Sequence, residues 1–321
     1  MSRRLLVLTA ICATLMGAGA KAEKWPSRPL HVVVPFGAGT ITDILPRVVL
    51  EKVSAQIGEP IVIENRPGAG ATTGSSAVAK AEADGYTLLV NSSALTIAPA
   101  LYSGIGYDAA HDFAAVTPLG IVPSVLLVSP AKGFRTVSDL IRAAKAKPGS
   151  LNFASAGVGT ATHLSAIRFN NSAGIDSVHI PFKAAPEILG EMIAGRIDYF
   201  LAPIPVALPF VLEGKLAALA VNTPERLASL PDVPTLRESG LTEAEYPFWI
   251  GVFLPAKTPG AVVDRLAFET RRALVDQNVK EKLSGMGVEP MDMTPKVFDD
   301  FVRRQLGTDA ELVRAAGLKP Q

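Results

Sequence analysis

Two glycine-rich turns, far apart in the chain, set the tightest limit on what it can fold into. The first, Pro35-Phe36-Gly37-Ala38-Gly39-Thr40-Ile41-Thr42-Asp43, follows the apolar run His31–Val34. The second, Ser155-Ala156-Gly157-Val158-Gly159-Thr160-Ala161-Thr162-His163, follows Leu151-Asn152-Phe153. Each reads as a β-strand passing through a glycine turn into an α-helix. Such a turn leaves backbone N–H groups without intrahelical acceptors at the positive end of the helix dipole. That geometry accepts an anion. Two such turns in separate lobes predict a small anion held between them.

The rest of the chain keeps the same alternation. Short β-branched runs at Val32–Val34, Ile61–Ile63, Thr87–Val90, Val178–Ile180 and Leu216–Val221 are separated by amphipathic stretches. Those stretches include Thr42–Gln56, Thr73–Ala83, Thr136–Ala146, Ala161–Ser172 and Ala185–Gly195. Strands alternating with helices imply parallel sheets and an α/β fold. Ala114–Pro130 and Tyr246–Pro255 are longer apolar extended stretches, read as crossovers between two lobes. The expected division is residues 23–120 with 250–321 in one lobe and 121–249 in the other. Helices are expected over Pro259–Glu281 and over Pro295–Ala316, the second broken near Gly307.

The N-terminus is expected to lie outside the fold. Arg3 and Arg4 precede an apolar run from Leu5 to Met16, and small residues follow at Ala18, Ala20 and Ala22. This is the pattern of a secretory signal peptide, with cleavage after Ala20 or Ala22 and residues 1–22 removed in the preferred reading. The only cysteine, Cys12, lies inside that run, so the mature chain is expected to have neither disulfides nor thiolate chemistry. The whole chain has 31 basic and 30 acidic side chains, and removing Arg3, Arg4 and Lys21 leaves 28 against 30, a net charge of −2. That balance argues against a nucleic-acid partner.

Catalytic readings find little support. Gly157-Val158-Gly159-Thr160-Ala161-Thr162 lacks the third glycine of a dinucleotide fingerprint, and neither turn carries the Gly-Lys-Ser/Thr of a phosphate loop. No Gly-x-Ser-x-Gly elbow occurs. His31, His111, His163 and His179 show no metal-ligand spacing, so no cofactor or metal is expected. Gly37 and Gly39 allow close backbone approach to a ligand, Thr40 or Thr42 can cap the helix, and Asp43 can cap or orient the loop. In the second turn Ser155, Gly157, Gly159 and Thr160 repeat this chemistry. His163 falls on the first helical turn, where the dipole disfavours its charged form, and it either meets the ligand or packs beneath the loop. Ser92 and Ser93 offer hydroxyls after the strand Thr87–Val90, and Lys183 is a cation at a strand end. Arg66 sits in a further turn, Glu64-Asn65-Arg66-Pro67-Gly68-Ala69-Gly70, in a loop-fixing role.

Taken together, these motifs resemble those of the periplasmic solute-binding proteins of the tripartite tricarboxylate transporter system, the TctC-like or Bordetella uptake gene (Bug) family. The resemblance rests on Val34-Pro35-Phe36 with Ala38-Gly39 and Thr42-Asp43, on Glu64 to Gly70, and on Asp84-Gly85-Tyr86-Thr87-Leu88-Leu89. It continues through Tyr107-Asp108, Asp112-Phe113, Ser155 to His163, His179 to Lys183, Leu230 to Thr235 and Trp249-Ile250-Gly251. It implies a two-lobed, type II-like periplasmic binding fold with two parallel or mixed sheets flanked by helices. It implies no enzymatic activity and a monomer located in the periplasm. The implied ligand is a small organic carboxylate in the cleft, touched by Phe36 and by both turns, and the implied partner is a membrane transporter of two integral subunits. This chain departs from the family at Thr40, where a second glycine is usual, at Ala184 after Lys183, and at Ala202-Pro203, where polar residues are usual. The tryptophan common near the C-terminus is also absent; Thr308-Asp309 stand in that region. The Ala202-Pro203 end makes the pocket less polar, which favours a monocarboxylate with an apolar or aromatic body over citrate. The rival readings are an exported α/β enzyme acting on a carboxylated substrate, and an orphan binder feeding a sensory partner.

Overall fold

A computed structural model of the chain describes residues 25–182 and 185–318. The expected signal peptide, with Cys12, and the pair Lys183-Ala184 lie outside the described residues. Ten strands are described: β1 Leu30–Val34, β2 Ile61–Asn65, β3 Thr87–Ser92, β4 Phe113–Val122, β5 Ser124–Val128, β6 Asn152–Ser155, β7 Val178–Pro181, β8 Tyr199–Pro203, β9 Ala217–Val221 and β10 Phe248–Pro255. The helices are α1 Ile41–Ile57, α2 Thr72–Ala79, α3 Ala94–Leu101, α4 Val137–Ala146, α5 Ala161–Ala173, α6 Ala185–Ile193, α7 Ile204–Leu212, α8 Gly260–Leu274, α9 Gln277–Gly285 and α10 Pro295–Ala315.

The strands form two five-stranded sheets, ordered β2-β1-β3-β10-β4 and β7-β6-β8-β5-β9. Within each sheet three neighbouring strands are paired in parallel, as strand–helix alternation requires. β10 in the first sheet and β5 in the second lie antiparallel to both neighbours. The sheets are therefore mixed, not purely parallel, because one strand of each arrives by crossing from the other lobe. The chain leaves the first sheet at Pro123, between β4 and β5, and returns between Val221 and Phe248. Both sheets have the same strand order once this inserted strand is counted.

Each sheet is buried on both faces, and that explains the near-continuous apolar strands. Leu30, Val32 and Val34 of β1 pack against Leu45, Val49 and Val53 of α1 and Leu266 of α8. Val33, facing the other way, joins Val78 of α2, Trp249, Phe253 and Phe298 of α10. In the second sheet Leu126 and Val128 face Leu140 of α4 and Phe169 of α5, while Val125 and Leu127 face Ile188 and Met192 of α6. A fifth cluster joins the lobes: Ile97 and Leu101 of α3, Leu164 and Ile167 of α5, Tyr246, and Leu312 and Val313 of α10.

Two helical expectations are corrected. α10 runs unbroken through Gly307, because packing against α3, β4 and α5 outweighs the roughly 1 kcal/mol that an interior glycine costs. The stretch Pro259–Glu281 is two helices, not one. Asp276 interrupts it by accepting from the N–H groups of Asn278 and Val279 and so capping α9.

Gly251 lies in β10 beneath α10, and a Cβ there would sit 2.3 Å from Phe298 Cζ. Gly251→Ala is expected to destabilise the protein by about 1–3 kcal/mol through overpacking, read from urea denaturation. An unchanged midpoint would contradict this packing.

Candidate functional site

The two glycine turns are built to one pattern. Gly39 and Gly159 have φ of 82° and 73°, values that L side chains rarely adopt. Gly39 N–H donates to Asp43 Oδ2 at 2.9 Å, and Gly159 N–H donates to His163 Nδ1 at 3.0 Å. Thr40 Oγ1 donates to Gly37 O at 2.9 Å, and Thr160 Oγ1 donates to Gly157 O at 2.8 Å. Thr40 and Thr160 are the N-cap residues of α1 and α5, with nearly equal φ and ψ. Each turn is thus closed by an acceptor four residues beyond its second glycine. The repeat is visible in sequence as Gly-x-Gly-Thr-x-Thr followed by Asp or His, but the shared role of Asp43 and His163 shows only in the geometry.

Their electrostatics differ. Burial raises the Asp43 carboxyl, but hydrogen bonds from Arg47, Gly39 N–H and Asn65 outweigh it and hold the group below its ordinary value. Arg47 also forms an ion pair with it at 2.8 Å. Asn65 Nδ2 bridges Asp43 Oδ1 and Phe36 O, tying the first turn to the end of β2. Buried His163 has its pKa pushed down to about 4, first by burial and then by neighbouring His179. It is therefore neutral at ordinary pH.

Between the turns lies a cavity of about 450 Å³. Phe36 and Gly37 reach it from the first turn, and Gly159 and Thr160 from the second. Ser92, Ser93 and Pro203 line it as well. Among the described residues the wall carries no charged side chain. Ala161 and Thr162, the first two residues of α5, are on the wall, and their N–H groups have no acceptor among the described residues. Ser92 Oγ accepts from Ala94 N–H. Buried Ser93 Oγ has no partner of hydrogen-bond geometry, although the Tyr246 hydroxyl is close.

Several expected contacts are not on the wall. Thr42 and Asp43 are buried beneath the first turn, while Gly39 and Thr40 are exposed and Thr40 folds its hydroxyl back onto Gly37. Ser155 and His163 are buried beneath the second, where internal hydrogen bonds take up Ser155 Oγ, the N–H and carbonyl of Gly157, and His163 Nδ1. Ala202 is fully buried in the core of the second lobe, because β8 alternates its faces and only Pro203 turns to the cavity. Lys183 lies outside the described residues. Arg66 is engaged in two hydrogen bonds with Glu64.

The wall also has parts that sequence reasoning missed. Residues 67–71 line it, with Ala69, Gly70 and Ala71 at φ of 43°, 62° and 75°. A Cβ on Gly70 would lie 2.5 Å from the Tyr102 ring, so that ring and this left-handed turn form one surface. Ile97, Leu101 and Phe248 complete the apolar side. Gly159 is pressed against Leu101: a Cβ there would lie 2.0 Å from Leu101 Cδ1. The second turn therefore touches the opposite lobe directly.

Residues 45–318 match the family described as the tripartite tricarboxylate transporter family receptor. The chain belongs to this family. Three solved structures are similar to it. Periplasmic binding protein BugD shares 30% identity at a TM-score of 0.76, over 92% of this chain and 100% of its own. A protein of R. palustris solved with adipate shares 30% identity at a TM-score of 0.80, over 92% and 100%. MatC from Rhodopseudomonas palustris, with bound malate, shares 32% identity at a TM-score of 0.75, over 90% and 99%. The two-sheet, two-lobe architecture is that of these periplasmic binding proteins, two of which were solved with a small carboxylate, adipate in one and malate in the other.

The His163 environment sets a pH dependence. The folded group protonates near 4 and the unfolded group near 6.5, so the unfolded chain takes up the proton first as pH falls. This contribution to stability is complete above about pH 6.5 and declines through about pH 4, by up to about 3 kcal/mol. Asp309, pushed up to about 6 chiefly by burial, works in the opposite sense. The measurement is therefore a comparison: urea denaturation at neutral and acid pH should show a smaller acid loss in His163→Asn than in the parent. Equal losses would sink the assignment.

Proposed function

We propose that this receptor-family protein captures a small organic carboxylate between its lobes in the periplasm. It then delivers the ligand to a membrane transporter of the tripartite type, without chemical change. The observation that carries the reading is a pair of matched helix-entry turns facing a cavity whose described wall has no charged side chain. Backbone N–H groups supply the donors for one carboxylate. A few charge-assisted hydrogen bonds of about 1.5–3 kcal/mol each, with a helix-end contribution of about 0.3–2 kcal/mol, reach the roughly −8 kcal/mol of micromolar binding. No arginine clamp is needed.

The same wall favours a monocarboxylate with an apolar body. Ile97, Leu101, Phe248 and Pro203 offer a second carboxylate no donors, and burying an unpaired charge is costly. Dicarboxylates bound by relatives make this a distinction within the family. Ser155 and His179 lie 2.7 Å apart, a spacing that a nucleophile and base share. Ser155 is fully buried and gives no hydroxyl to the cavity, so the pair supports a binding protein over an exported hydrolase.

Calorimetric titration of the mature protein is expected to show hexanoate or benzoate bound more tightly than citrate, with the ligand recovered unchanged. Tighter binding of citrate would overturn the apolar-body reading, and turnover of the bound acid would overturn the receptor reading.

A further inference from the structure

The second turn rests on two histidines whose rings lie face to face. The His163 and His179 ring centroids are 3.8 Å apart and the planes 15° from parallel. Phe153 stacks on His179 at 4.9 Å and on Tyr199 at 5.7 Å. Each imidazole holds a different atom of the turn. His163 Nδ1 accepts from Gly159 N–H at 3.0 Å. His179 Nε2 meets Ser155 Oγ at 2.7 Å. Ser155 Oγ in turn gives its proton to Gly157 O at 2.9 Å and accepts from Gly157 N–H at 3.1 Å.

One of these bonds fixes a ring proton. An Nδ1 that accepts leaves the proton of neutral His163 on Nε2. The 2.7 Å contact joins His179 Nε2 to Ser155 Oγ, whose one hydroxyl proton has both Gly157 O and this ring nitrogen within reach. Either ring made cationic would face the other at stacking distance. The titratable neighbour that acts on His163, among the described residues, is the His179 imidazole; Tyr199, beyond Phe153, spends its hydroxyl on Asn170. Among the described residues no carboxylate offsets a positive charge on either ring. In the first turn the equivalent acceptor, Asp43, is a carboxylate neutralised by Arg47. Beneath the second turn the acceptor is an uncharged ring with no counter-ion.

We propose that His163 and His179 are positioning residues of the ligand site: a stacked pair of neutral imidazoles that clamps Gly159 and Ser155 and thereby aims the free N–H groups of Ala161 and Thr162 into the cleft. Neither ring touches the ligand. The inference rests on the carboxylate-binding reading for its effect on affinity, but the clamp itself is a property of the unliganded protein. His163 acts through one accepting atom, which an asparagine Oδ1 reproduces and a leucine does not. His179 acts through one atom, Nε2, whose contact with Ser155 Oγ a glutamine amide reproduces as donor or acceptor.

The test has two arms. In the first, hexanoate is titrated into the mature protein and four variants whose folding is checked by thermal melting. His163→Leu and His179→Leu are expected to lose about tenfold or more in affinity, the scale of one misplaced hydrogen bond, while His163→Asn and His179→Gln stay within about threefold of the parent. Leucine variants that bind as the parent does, or amide variants that lose as much as leucine, would overturn the clamp. In the second arm, imidazole nitrogen NMR on the unliganded protein should find His163 protonated on Nε2 and neutral down to about pH 5, and His179 titrating below the usual histidine range. Gly159 amide exchange should be slow in the parent and in His163→Asn and faster in His163→Leu. An Nδ1–H on His163, or either ring titrating at its ordinary value, would overturn the proposal even where hexanoate fails to bind. Failure of hexanoate alone, with the expected ring states, would count against the ligand reading and leave the clamp supported.

Discussion

The hydrogen bond from the second turn glycine to an acceptor four residues later is the contact on which the rest of the site depends. Gly39 donates to Asp43 and Gly159 to His163. This contact removes one N–H from competition for ligand and locks the positive-φ step that turns strand into helix. With that step fixed, α1 begins at Ile41 and α5 at Ala161, and the first N–H groups of α5 lie on the cavity wall. Relaxing the glycine would re-aim the whole helix end. The two sheets have matching strand orders, so both lobes bring this same device to the cleft from opposite sides.

What holds the two devices at a working separation is a dry seam. Gly159 sits against Leu101, and Leu164, Ile167, Tyr246 and Leu312 continue the contact away from the cavity. α10 belongs to this seam and to the first-lobe core at once, through Leu312 on one side and Phe298 on the other. Its packing therefore couples lobe placement to the first sheet. Buried Asp309 on the same helix accepts from the Tyr246 hydroxyl at 2.8 Å, next to Ser93 on the cavity wall. The seam is apolar where the lobes meet closely, and its polar part centres on the Tyr246–Asp309 hydrogen bond.

Most of the fold was legible in the sequence because local periodicity carried it. β1, β3, α1 and α5 fall within a few residues of where apolar runs and glycine turns put them. Gly307 misled because a propensity penalty of about 1 kcal/mol says nothing of three partners packed along α10. Asp276 was missed as a helix break because its capping role needs the chain to be extended there first. At the site, the turns were legible and their interiors were not. The Gly159–His163 tie depends on a left-handed φ that sequence does not report. Ser155 meets His179 only because β6 and β7 pair in register, Ser155 opposite Pro181 and Phe153 opposite His179. The apolar wall from Ile97, Leu101 and Tyr102 comes from α3 and its end, brought over by tertiary packing alone.

The difference between the two acceptors has a physical logic. A carboxylate beneath an anion site would repel the ligand unless neutralised, and Asp43 is neutralised by Arg47, with Asn65 donating to the same Oδ1. That solution needs room for a guanidinium at the protein surface, where Arg47 is half exposed. The second turn has no such room: its underside is packed against Phe153 and His179, within the second lobe. An imidazole accepts the same N–H with no net charge and lies flat in the stack. The site can therefore present the partial positive charge of the α5 end, opposite Phe36 and Gly37 of the first turn, without any full charge on the described wall. A ligand is then selected by one anionic end and by how well the remainder fills an apolar space, because no further ion is there to reward a second charge.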